Sequence, residues 1–239
     1  MAEPERNVLR YFDARGRAQF LRYFIRARGL DVADERVPLD PDFAAWRALR
    51  PDRSRTGPFQ KLPVLQWQGR LVAETRVIYA FLQAATGDAT ALGPERALRH
   101  DMLVSSLCDD VMHPIGILIW SGVMFPGADA ATVAKRSLER LQAHCAVLDQ
   151  TLREWSWLEE AQERSVMLAD CLLWEELDVA QHVFGEHLRL EEHPYLFSCY
   201  REAPGADTFR GMLAERPRPV TARPGESEAI ADIRALLAA

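Results

Sequence analysis

A chain of 239 residues can bury one large core or two modest ones, and its 48% hydrophobic and 27% charged content excludes a disordered polypeptide. A formal net charge of −6 argues against a surface built to neutralise a nucleic-acid backbone, so no nucleic-acid partner is expected. The most apolar run, Ile115 to Phe125, is shorter than the roughly 20 residues of a membrane helix, and Met1 to Arg10 lacks the apolar centre of an export signal; a cytoplasmic chain with no membrane partner is the expectation.

From the N-terminus, Val8 to Phe12 reads as a strand, followed by a Gly-containing turn and a helix from about Ala18 to Arg28 that Gly29 stops. The segment Tyr11-Phe12-Asp13-Ala14-Arg15-Gly16-Arg17 places one hydroxyl and two guanidinium groups at a helix start, where peptide N–H groups already favour anions. Asp34 to Leu39 reads as a second strand and Phe43 to Leu49 as one or two helical turns. Pro51 to Pro58 reads as a polar loop.

Leu62 to Trp67, Gln68-Gly69 and Arg70 to Val72 have the form of a β-hairpin, with Pro63 at a strand start where it donates no ladder bond and marks an edge, a bend or a cis peptide. Glu74-Thr75 then caps a helix over Arg76 to Ala85. The element order is βαβ, loop, ββα.

Strand signals stop after Thr86-Gly87. The expected fold is α+β: a domain over 1–86, a linker at 87–94, and an all-helical domain over 95–239. Within the latter, Glu95 to Phe125 is helical with a kink at His113-Pro114, and further helices are expected at Ala130–Trp155, Ala169–Phe184, Tyr195–Glu202 and Ser227–Ala239. Cysteines 108, 145, 171 and 199 form no CxxC pair and read as core thiols, and the six histidines show no metal-binding spacing, so no metal is expected.

This order of elements, with Tyr11-Phe12-x-x-Arg15-Gly16-Arg17, Leu62-Pro63-Val64-Leu65 and Glu74-Thr75 in sequence, resembles the cytosolic glutathione transferases. The likeness is to the tyrosine-type branch (sigma, pi, mu and alpha), in a bacterial-style member. The resemblance implies a thioredoxin-like first domain, glutathione as co-substrate rather than a resident cofactor, an apolar electrophile as second partner, and a homodimer. It assigns Tyr11 as the hydrogen-bond donor to the glutathione sulfur, with Arg15, Arg17 and the helix start adding positive field.

By the same resemblance Arg17 lies near the γ-glutamyl end, Pro63 follows a cis bond that turns Leu62 towards the cysteinyl backbone, and Glu74 with Thr75 holds the γ-glutamyl group. Lys61 puts a cation near the glutathione backbone, and Arg50 or Arg53 replaces a lysine for the glycyl carboxylate. Trp46 matches an indole at the glycyl end and is equally a packing residue. Asp109 matches an acid reaching the ammonium from a neighbouring subunit and is equally a surface acid. For the electrophile, Phe12, Ala14, Ile115 and Ile119 are the candidate wall, although isoleucines on a helix are as readily core.

Three departures stand out, one being that the Pro51 to Pro58 loop is longer than the family pattern. Asp13 puts a negative charge where a thiolate is expected, and Met167-Leu168-Ala169-Asp170 keeps the family's buried Asp without a capping hydroxyl, Ser165 lying two positions early. The competing function is a non-catalytic glutathione- or ligand-binding member of the fold. A thiol oxidoreductase would need a cysteine near position 11, where none occurs.

Overall fold

The computed structural model describes residues 6–238 apart from Pro41, Pro126 and Ala128. Strand β1 (Val8–Phe12), helix α1 (Gln19–Ala27) and strand β2 (Ala33–Val37) form the βαβ unit; β3 (Val64–Trp67), β4 (Arg70–Ala73) and α4 (Thr75–Ala85) form the ββα unit. They share one sheet of order β2-β1-β3-β4, with β1 parallel to β2 and β3 antiparallel to both neighbours. Gln68 and Gly69 both take positive φ, 49° and 77°, the twist a two-residue hairpin turn requires.

Between the units lie α2 (Ala44–Leu49) and a short α3 (Arg53–Thr56), so the stretch expected as loop is partly helical. Asp52 caps α3 by accepting the Ser54 N–H at 3.0 Å, and the buried Thr56 hydroxyl donates to the Asp52 carbonyl at 2.8 Å. The stretch expected as linker likewise holds a helix, α5 (Asp88–Leu92), pinned to α1 by the Arg28–Asp88 ion pair at 3.0 Å. Glu74 does not cap α4 with its side chain; it precedes the helix with φ +71°.

Helix α6 (Pro94–Ser106) continues through a π-helical turn, Leu107–Met112, into α7 (His113–Met124). The irregularity expected at His113-Pro114 therefore takes the form of a widened turn just upstream, where the His113 N–H reaches back to Cys108 O. Proline has no N–H for an α-helical bond, and a π turn is a common way to absorb such a defect. The 31-residue rod carries a window of mean hydropathy 1.4, long and apolar enough to cross a membrane, unlike the shorter apolar run read from the sequence. Its apolarity has a use inside the fold: Leu103, Leu107, Val111 and Leu118 are buried where the rod packs on α8 (Ala130–Glu154) and α10 (Leu168–Phe184).

The remaining helices are α9 (Trp157–Gln162), α11 (Pro194–Glu202), α12 (Ala206–Glu215) and α13 (Glu226–Ala238), of which α9 and α12 are absent from the sequence reading. At the start of α10 the Met167 N–H donates to the Asp170 carboxylate at 2.9 Å, and no hydroxyl stands at the cap position. Trp157 and Arg164 complete the ring of donors around that buried carboxylate.

Helix α1 is the joint between the sheet and the helical region. Tyr23 stacks on Phe209 at 4.7 Å and meets Trp174 edge-on at 5.5 Å. Arg15, just before α1, forks onto Glu175 of α10 at 3.0 and 2.8 Å and reaches Asp178 at 2.7 Å. Its charge is thus consumed within the fold, contrary to its expected role in an anion field. Replacing Arg15 by Met leaves Glu175 buried without its cationic partner, and urea unfolding should show a loss of about 3–5 kcal/mol, partly recovered by adding Glu175→Gln.

Candidate functional site

The site is organised by the three residues, Asp13, Ala14 and Arg15, between β1 and the helical start at Gly16. Arg22 of α1, itself buried, donates to the carbonyls of Phe12 at 3.1 Å and Ala14 at 2.7 Å, and so holds the turn from below. From above, the Arg15 N–H donates to Pro219 O at 2.9 Å and the Gly16 N–H to Val220 O at 2.7 Å. Glu226 secures that strap by accepting the N–H groups of Val220 and Thr221 and the Thr221 hydroxyl. Neither Arg22 nor the strap carried a functional signal in the sequence; both are read only from the fold.

The frame fixes the Tyr11 hydroxyl. Its oxygen accepts the Arg17 N–H at 3.1 Å, which leaves its own O–H to donate outward. Burial pushes the phenol above its ordinary value of 10, outweighing the Arg17 N–H and the Arg17 and Arg22 charges, so it stays a protonated donor at neutral pH. Gly16 sits at φ +40°, and a Cβ there would lie 2.4 Å from the Tyr11 oxygen.

Three concavities meet at Arg17. An apolar cleft of about 320 Å³ runs between the β1–α1 turn, the rod, α10 and the strap, with Tyr11, Phe12, Ile115 and Trp120 in its wall. A polar groove of about 300 Å³ is lined by Arg17, Lys61, Leu62, Pro63, Glu74 and Thr75, the Leu62–Pro63 peptide being cis. A second, of about 410 Å³, joins Arg17, Glu74 and Thr75 to Arg76, Cys108, Asp109 and His113. The Arg17 guanidinium lies 3.3 Å from His113 Nδ1, bridging the rod and the turn.

Most of the sequence-nominated residues therefore converge, with clear exceptions. Ala14 and Ile119 are buried and do not line the cleft; Ala14 serves as a carbonyl acceptor for Arg22, and the cleft face of the rod follows Met112, Gly116, Trp120 and Met124 at four-residue spacing. Trp46 packs edge-on against Phe12 at 5.3 Å rather than lining a groove. Arg53 donates to Pro58 O at 2.9 Å, and neither it nor Arg50 lines the grooves. Asp109 lines a groove of its own chain, where it is ion-paired with Arg76.

Asp13 proves harmless to an anion in the cleft: it is paired with Arg36 at 3.1 Å, Arg216 at 3.2 Å and Arg218, and does not line the cleft. Cys108, absent from the nominated set, faces the second groove, but burial and then Glu176 push its thiol up to about 11, leaving it protonated and unreactive. Glu176 itself, a buried acid in the cleft wall, also went unnominated; burial and then Glu175 raise its carboxyl well above the usual range. Among the described residues no cluster suits a metal ion.

Comparison with known proteins bears on this geometry. Residues 7–84 match the glutathione S-transferase N-terminal domain. A chicken hematopoietic prostaglandin D synthase is 32% identical over 104 residues, 44% of this chain, and the match spans about half (48%) of that relative's length. The human hematopoietic prostaglandin D synthase is 27% identical over 88% of this chain and 96% of its own. Among solved structures, the glutathione S-transferase of Ascaris lumbricoides superposes with a TM-score of 0.65 at 22% identity, covering 91% of this chain and all (100%) of the other, which bears out the α+β fold. These relatives are animal proteins and lend no support to the bacterial-style reading.

Gly16→Ala should cost more stability than Gly29→Ala, which shares the positive φ (+59°) but has open space around its Cβ. The difference in urea unfolding should be about 1–3 kcal/mol, the cost of displacing the Tyr11 ring.

Proposed function

We propose that this chain is a tyrosine-type glutathione transferase, with a glutathione-binding domain over 1–86 and a helical domain over 95–239 that walls the electrophile site. The observation that carries this reading is the Tyr11 hydroxyl. It stands in the wall of the apolar cleft with its oxygen satisfied by the Arg17 N–H and its proton free, and Arg17 borders both polar grooves.

Glutathione lies along those grooves, its γ-glutamyl group between Arg17, Glu74, Thr75 and Asp109, and its backbone by Lys61, Leu62 and Pro63. Thr75 opens α4, so its N–H and hydroxyl suit a carboxylate there, while Glu74 and Asp109 suit the ammonium. A free thiol has a pKa near 8.5, and each unit of lowering corresponds to about 1.4 kcal/mol. A charge-assisted hydrogen bond from Tyr11, with the Arg17 charge, supplies lowering on that scale. The thiolate then attacks an electrophilic carbon held in the cleft by Phe12, Ile115 and Trp120.

Glutathione is a co-substrate here and no resident cofactor is required. The prostaglandin D synthases among the relatives make isomerisation a second reaction open to the same thiolate. A homodimer is supported by the exposed Val77 on α4 and Leu98 and Met102 on α6, apolar side chains that a second copy would cover. A cytoplasmic location accords with four free, buried cysteines. The non-catalytic alternative drew on Asp13 and on the lengthened Pro51 to Pro58 loop, and three arginines around that carboxylate weaken the first of these grounds.

Tyr11→Phe should bind glutathione nearly as well as the unmodified protein, while conjugation of an aryl chloride falls about 10- to 1000-fold, the range of one lost transition-state donor. Equal turnover would remove Tyr11 from the mechanism, and failure of the unmodified protein to bind glutathione would remove the assignment of the grooves.

A further inference from the structure

The polar groups of the cleft are nearly all occupied. The Tyr11 hydroxyl faces the sulfur in the proposed function, the Arg17 guanidinium reaches His113, and the Thr221 hydroxyl donates to Glu226 at 2.7 Å. Glu175, the preceding residue on α10, is held by Arg15 and by the Tyr23 hydroxyl at 3.0 Å. Glu176 is different. It is 2% exposed, lines the cleft, and makes no hydrogen bond or ion pair to any described residue.

A buried carboxyl without a partner is costly, and the cost is relieved when something entering the cleft pairs with it. Arg17, at the same cleft, disfavours a cationic guest and favours one bearing an oxygen acceptor. Burial, and then the neighbouring Glu175 carboxylate, outweigh the Arg15 and Arg17 charges and raise the carboxyl well above its ordinary range, which favours the neutral, donating form. A carbonyl oxygen is the natural acceptor, and a thiolate across the same cleft reacts with a carbonyl compound through its conjugated β-carbon.

We propose that Glu176 is the proton donor to the carbonyl oxygen of an α,β-unsaturated ketone or aldehyde bound in this cleft. The proposal rests on the glutathione transferase reading above. The thiol loses its proton to solvent; the thiolate sulfur bonds to the β-carbon, and the C=C pair shifts so that the carbonyl oxygen takes the Glu176 proton. The resulting enol reverts to the ketone, and solvent returns a proton to Glu176. The net change is addition of a thiol across a double bond, with no oxidant or reductant. Chlorodinitrobenzene places its developing charge on nitro oxygens that are too weakly basic to take a proton in the addition step, and so gains far less from such a donor.

The test is the ratio of kcat/KM for cyclohexenone to that for chlorodinitrobenzene, each with glutathione. Glu176→Gln should lower the ratio about 10- to 100-fold and Glu176→Leu at least as much, the range of one general acid, with Glu176→Asp in between. A ratio within twofold of the unmodified protein in both Gln and Leu variants overturns the proposal. Should the variants not fold, the unmodified protein still decides: cyclohexenone turnover should show a larger solvent deuterium isotope effect than aryl chloride turnover, and equal effects overturn it. Aryl chloride conjugation without enone conjugation sinks this proposal and leaves the transferase reading standing, whereas glutathione binding with neither conjugation sinks both.

Discussion

The short turn between β1 and α1 is the constraint on which the site depends, and buried arginines hold it. Arg22 grips two of its carbonyls from α1, and Arg15 ties its far end to Glu175 and Asp178 on α10. A guanidinium suits this task because its planar fork binds several oxygens in fixed directions while keeping its charge when buried. Loosening either contact would shift a hydroxyl whose use depends on its placement to within a fraction of an ångström.

Charge is sorted around that turn. Asp13, one residue from the cleft-lining Phe12, is surrounded by three arginines, so its field is cancelled before it reaches the cleft. Among the described residues Arg17 makes no ion pair with a carboxylate, and its guanidinium lies against His113 Nδ1, so its positive field remains directed at the junction of cleft and grooves. An anion at that junction sees a net positive environment in a chain whose total charge is −6.

What could be read from the sequence followed from how local the cause was. The strands and their hairpin were legible because apolar alternation and the Gln68-Gly69 turn are written within a few residues, and Lys61, Leu62, Pro63, Glu74 and Thr75 form two short clusters that the sheet brings together. The fates of Arg15 and Asp13 were not, because their partners lie on α10 and near residues 216–218, beyond any local pattern. Ile119 was misplaced for a subtler reason. Four-residue spacing identifies a helical face but not which face meets the cleft, and on a rod apolar all round several faces qualify. Helices α9 and α12 are short, and their ends are set by packing on larger neighbours rather than by strong caps.

The strap over residues 219–226 bears on how this protein comes to be made. The β-sheet can assemble from contacts among the first eighty or so residues, but the Gly16 and Arg15 amides find their acceptors only when Pro219 and Val220 have left the ribosome. Contacts of such wide sequence separation form late, after the entropy of closing a long loop has been overcome. A nascent chain that has already folded its sheet would therefore still present an open, unfinished turn. The cleft cannot close before the strap and the Glu226 that holds it have both been made.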